Sequence, residues 1–178
     1  SLVKLIETQS KATLAHWAVD YSERVLLPLW NKHYPDDPRP KNALKAAREW
    51  LSGAIKLPQA KKVILECHAA AREAAASPVA QAAARAIGQS ASTIHSARHC
   101  IGLPLYGAIA VAYNTLGTKV SWEQLEQCAA AGGLNFFGDN SPNLTLSADH
   151  TNAGSVVLAG DVSFSGSTGT ATITSGPA

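Results

Sequence analysis

Ser77-Pro-Val-Ala-Gln-Ala-Ala-Ala-Arg-Ala-Ile-Gly-Gln-Ser-Ala-Ser-Thr-Ile-His-Ser-Ala-Arg-His-Cys100 is the stretch on which the fold turns. It opens with Ser-Pro, a helix cap followed by a first-turn proline. Between Ala69 and Ala91, twelve of 23 residues are alanine. Alanine has the highest helix propensity but little side chain to bury. Such helices are stable where bulkier elements pack closely on them, and Trp17, Trp30, Trp50 and Trp122 with Leu and Ile supply that bulk. The stretch predicts a helix from Ser77 to about Cys100 inside a compact, mainly α domain.

Working outward, the same texture continues. Leu14, Trp17, Ala18, Tyr21 and Val25 recur at helical spacing and predict a first helix from about Lys11 to Trp30. Tyr34-Pro-Asp-Asp-Pro-Arg-Pro40 holds too many prolines for a helix. A second helix is expected from near Pro40 to Gly53 and a third from Pro58 to about Ala76. Gly102 and Pro104 punctuate, a fifth helix covers Leu105 to Leu116, and the capping-box pattern Ser121-Trp-Glu-Gln124 opens a sixth that ends at Gly132-Gly133. Trp17, Trp50 and Tyr106 have apolar neighbours at helical spacing and are expected as core anchors.

The texture changes after Gly138. Thirteen of the last 40 residues are Ser or Thr and five are Gly, with short alternations such as Val162/Phe164 and Thr170-Ala-Thr-Ile-Thr174. This is a strand and hairpin pattern. Two units are therefore expected: an all-helical domain over 1–133 that folds without the rest, and a strand-forming appendage over 139–178. A sheet this small needs a partner to pack on, so the appendage is a candidate for homo-oligomer formation.

Charge follows the same division. All 15 Lys and Arg lie at or before Lys119, and ten of 13 acids lie at or before Gln127, so residues 1–127 carry +5 and the remainder −3. There is no Lys/Arg stripe with interleaved aromatics, which argues against a nucleic-acid partner. No run of about 18 apolar residues provides a membrane span. Three widely spaced cysteines (Cys67, Cys100, Cys128) suit a reduced, cytoplasmic chain better than a disulfide framework. The phosphate-loop, dinucleotide-binding and serine-hydrolase motifs are all missing. No cofactor and no catalytic residue is assigned.

Two segments carry the candidate chemistry, Glu66-Cys-His-Ala-Ala-Ala-Arg72 and Thr93-Ile-His-Ser-Ala-Arg-His-Cys100. On helices, His68 and Arg72 share a face at i, i+4, and so do His95 and His99. If the two helices pair antiparallel across the turn at Ser77-Pro78, the histidines approach one another. His68, His95 and His99 have the donor type and spacing for Zn²⁺, but Ser96 stands where a zinc-protease glutamate would be, and no metal is assigned. Hydrogen-bonded polar residues at a helix interface, or a recognition surface, are the preferred readings. Asp36, Asp37 and Arg39 in the proline-rich loop either cap the next helix as a local ion pair or present charge to a partner. Cys67 and Cys100, among apolar neighbours, are expected to be inert.

Several of these pieces resemble, in order, the helical domain of the bacterial immunity-protein family associated with polymorphic toxin systems. They are Leu14-Ala-His-Trp-Ala-Val-Asp20 with Arg24-Val-Leu-Leu-Pro28, the proline-rich loop with Ala47-Arg-Glu-Trp50, His68-Ala-Ala-Ala-Arg72, Ala84-Arg-Ala-Ile-Gly-Gln89, and Thr93-Ile-His-Ser-Ala-Arg-His99. The resemblance spans about residues 14–116 and implies a cytoplasmic helical protein that binds and neutralises a cognate toxin without catalysis. It does not extend to the Ser/Thr/Gly tail. Two other readings stand beside it: an oligomer-forming interaction protein that uses the tail, and a metal-dependent or small-molecule-binding protein built on the histidines.

Overall fold

A computed structural model describes residues 6–131, which are almost wholly helical. The elements are α1 (Lys11–Tyr21), a π-helical turn (Ser22–Leu26), α2 (Leu27–His33), α3 (Arg39–Leu51), α4 (Leu57–Glu73), a 3₁₀ turn (Ala74–Ala76), α5 (Pro78–Ser92), a second 3₁₀ turn (Ala97–Ile101), α6 (Gly102–Leu116) and α7 (Trp122–Ala131). The expected strand appendage over 139–178 lies outside the described residues.

The alanine-rich α5 is the hub. It packs against α1, α2, α3, α4 and α6 and the π turn, because a surface of methyl groups lets many helices approach at once. Ala80, Ala82, Ala83, Ala84, Ala86 and Ala91 are all buried on it. The cap read from Ser77 is present: its hydroxyl accepts from the Ala80 amide at 3.4 Å, with Pro78 in the first turn. Cross-helix bonds give the direction of α4 against α5. Gln81 donates to the Ala71 carbonyl at 3.1 Å and Cys67 to the Ala84 carbonyl at 3.5 Å, so residue numbers fall on one helix as they rise on the other, an antiparallel pair.

The first predicted helix is interrupted but not broken. Pro28 would press its ring on the Arg24 carbonyl in a regular α-helix, and the wider π turn over Ser22–Leu26 accommodates it. That turn buries Ser22, whose hydroxyl donates to Ser90 on α5 at 2.8 Å, and Ser90 in turn donates to the Ala86 carbonyl at 2.9 Å. Both hydroxyls are thereby satisfied inside the core.

The tryptophans separate by role. Trp30 is 1% exposed, stacks on Tyr34 with centroids 4.7 Å apart, and donates its indole N–H to the Asp37 carbonyl at 3.0 Å. Trp17, Trp50 and Tyr106 are only partly buried at the edge of the core, so the expectation of three central anchors is corrected: Trp30 is the central one. Trp122 is 74% exposed and adds no bulk to the core. It stands at the start of α7, whose packing partner is α6. The capping box read from Ser121 and Gln124 is present, with the Ser121 amide donating to Oε1 of Gln124 at 2.8 Å and the Gln124 amide to Oγ of Ser121 at 3.2 Å.

One boundary differs in a way that matters for the histidines. The helix from Ser77 ends at Ser92, not near Cys100. Ser90 and Thr93 turn their hydroxyls back onto the Ala86 and Gln89 carbonyls, which weakens a helix at that point. The chain then tightens into a turn and a 3₁₀ segment before Gly102 starts α6. Pro104 falls within the first turn of α6, where an amide hydrogen has no helical partner in any case.

Candidate functional site

His95 and His99 do not share a face of one α-helix, because His95 lies in the turn after α5 and His99 in the 3₁₀ segment. The tighter winding brings their rings together all the same, with centroids 4.9 Å apart and planes inclined at 57°. His68 reaches toward the same end of α5 from the antiparallel α4. Its Nε2 is 3.3 Å from Oγ of Ser92. His99 donates from Nδ1 to the amide oxygen of Gln89 at 2.7 Å, which leaves its Nε2 to accept when the ring is neutral.

Two glycines make room for these side chains. A Cβ on Gly88 would stand 2.6 Å from Cε1 of His68, and one on Gly102 would stand 2.4 Å from Cγ of Gln89. Gly88 thus lets the imidazole lie on the α5 backbone, and Gly102 lets Gln89 reach His99. None of Gln89, Ser92, Gly88 and Gly102 was assigned to the site from the sequence, where Gly102 was read only as helix punctuation and Gly88 and Gln89 only as part of a family motif. A glycine within the alanine-rich α5 is the signal that points to Gly88, since it costs about 1 kcal/mol against alanine unless something approaches closely.

All three imidazoles are pushed toward the neutral form. Burial is the main cause for each. For His68 the charges of His99 and then Arg72 add to it, and for His95 those of His99, Lys61, Lys11 and His68. Nδ1 of His95 is buried and has no hydrogen-bond partner among the described residues. Arg72 is exposed on the same flank of α4. Among the described residues, no three His, Cys, Asp or Glu side chains are grouped to hold a metal ion.

Asp37 and Arg39 form a local structural unit. Arg39 donates to Asp37 through Nε at 2.9 and 3.0 Å and through Nη2 at 2.6 Å, its amide donates to the same carboxylate at 3.1 Å, and Nη2 also reaches Glu73 of α4 at 2.7 Å. These hydrogen bonds hold the Asp37 carboxyl below its usual range. Asp36 is exposed beside them. The loop ties the start of α3 to the end of α4, and of the three residues only Asp36 projects freely into solvent. A second bridge joins α3 to the first helix, where Arg48 holds Glu23 and Asp20. Cys67 is buried, which pushes its thiol up to about 12, and burial raises Cys100 to about 11.

No helix among the described residues is long and apolar enough to cross a membrane. A shallow depression lies between α1 and α3, lined by His16, Arg48, Glu49, Leu51 and Ser52. No curated protein and no solved structure matches the chain. Residues 4–132 match the model of the family described as Imm-5 like putative immunity protein, a span that takes in every described helix, and the chain belongs to that family.

Proposed function

We propose that this protein is a non-catalytic immunity protein that binds one cognate bacterial toxin in the cytoplasm and blocks it. The observation that carries this reading is the family match over the whole helical body. The chemistry of the interior is consistent with it. Two of the three histidines where α4 meets the end of α5 are engaged in links to α5, His68 to Ser92 and His99 to Gln89. The two buried thiols are held protonated far above neutral pH, so neither is a ready nucleophile.

The test is to search the reading frames beside this gene for a toxin domain and to co-express any that is found with this protein. Growth should be restored in cells that carry both, and the two proteins should elute together from a sizing column. Death of the co-expressing cells with no complex would overturn the reading. Molar mass measured with and without residues 139–178 tests whether the tail adds self-assembly.

A further inference from the structure

Lys61, Leu65, His68 and Arg72 recur on α4 at spacings of four, three and four residues. At 3.6 residues per turn they fall within an arc of roughly 60°. Lys61 and Arg72 are exposed, and Leu65 is 63% exposed between them. The acids of the same helix lie elsewhere. Glu66 and Glu73 sit roughly 120–140° around the axis at that winding, and Glu73 is held by Arg39.

His95, His99 and the exposed Arg98 extend this stripe across the end of α5, and Lys11 adds a cation from α1, where its ammonium stands 5.6 Å from the centre of the Trp50 ring. The charged groups that act on the three histidines are Lys11 from α1, Lys61 and Arg72 from α4, and the histidines themselves, all cationic when charged. The ion pairs elsewhere deepen the contrast. Arg39, Arg48 and Lys45 between them hold five carboxylates, Asp37, Glu73, Asp20, Glu23 and Glu49, of which Glu73 is also acted on by Arg72. An excess of positive charge that is modest over the whole domain is therefore concentrated where α4 meets the end of α5.

We propose that the face formed by Lys61, Leu65, His68 and Arg72 with His95 and His99 is the toxin-docking surface, and that its occupant is an acidic protein surface whose carboxylates ring an apolar spot that receives Leu65. This rests on the reading of the chain as an immunity protein. The cations steer the partner in and are matched by its acids, as charge complementarity requires. Leu65 supplies the apolar contact that a purely ionic encounter lacks. Carboxylates brought against the rings stabilise their protonated forms, so docking takes up protons and tightens as pH falls from 7.5 to 6.

The surface is tested with a glutamate-rich peptide of about twenty residues as probe, followed by the histidine ring resonances of the full chain. The peptide should move the resonances of His68, His95 and His99, leave those of His16 and His33 in place, and raise the pKa of at least one of the three. Lys61→Glu with Arg72→Glu should weaken binding at least tenfold, whereas Lys41→Glu with Lys119→Glu should change it less than threefold. Equal losses from the two pairs, shifts confined to other histidines, or no binding at low salt would overturn the proposal.

Co-expression with a toxin domain found beside this gene separates this inference from the function on which it rests. If the wild type rescues growth and Lys61→Glu/Arg72→Glu does not, both stand. If the double variant, folded by circular dichroism, rescues as well as the wild type, the protein is an immunity protein that docks through another face.

Discussion

The imidazole of His68 occupies the space in which a side chain on Gly88 would stand, with a Cβ there only 2.6 Å from Cε1 and 2.7 Å from Nδ1. This contact is part of the close packing of α4 on α5, and the polar cluster begins at it. Its energetics set two effects against each other. Alanine in mid-helix gains about 1 kcal/mol over glycine, while overpacking of a close contact costs about 1–3 kcal/mol. Gly88→Ala is therefore expected to be destabilising despite the better propensity. In the His68→Ala background the clash is gone, and Gly88→Ala should be neutral or stabilising. A double-mutant cycle by urea unfolding checks this, with a coupling of about 1–2 kcal/mol expected.

Acid should loosen the fold near neutrality. The folded-state pKa values of His68, His95 and His99 all lie below the ordinary 6.5. Between those values and 6.5 the unfolded chain binds more protons than the folded one, so stability falls as pH drops through this window and is level above about pH 7.5. Asp37 and Glu73, held below their usual ranges by Arg39, contribute in the same direction at lower pH: their stabilisation is present above the unfolded carboxylate pKa and is lost as pH falls through the folded one. Urea midpoints at pH 8, 6.5 and 5.5 should show the first slope, and His68→Gln should flatten it.

Truncation of two tryptophans should give opposite results. Trp30→Ala removes a fully buried ring that also donates to Asp37, and a loss of about 3–5 kcal/mol is expected. Trp122→Ala removes a ring that is mostly in solvent, and the change should stay within about 0.5 kcal/mol. Thermal melts of the two variants decide the matter.

Thiol labelling reports on the interior. Cys67 and Cys100 are buried with thiols raised by that burial, while Cys128 is partly accessible. A disulfide reagent at pH 8 should modify one thiol rapidly in the native protein and all three in urea. Rapid native reaction of two or three would show the interior to be open.

Local signals in the sequence determined much of this molecule. The helices begin where Ser10, Ser77 and Ser121 accept amide hydrogens and where prolines fall in first turns, since those effects need only neighbouring residues. The alanine content marked α5 as a helix that others pack against, and the family resemblance was already legible in motifs from Leu14 onward. Three things were decided by tertiary structure. Trp30 rather than Trp17 or Trp50 became the central anchor, because burial depends on which helices meet and not on spacing along one of them. The helix stopped at Ser92, where serine and threonine hydroxyls turned back on the backbone and the chain had to bend into α6, so His95 met His99 through a turn instead of along a helix face. The histidine cluster took its form from Gly88 and Gly102, whose missing side chains matter only once His68 and Gln89 arrive from elsewhere in the chain.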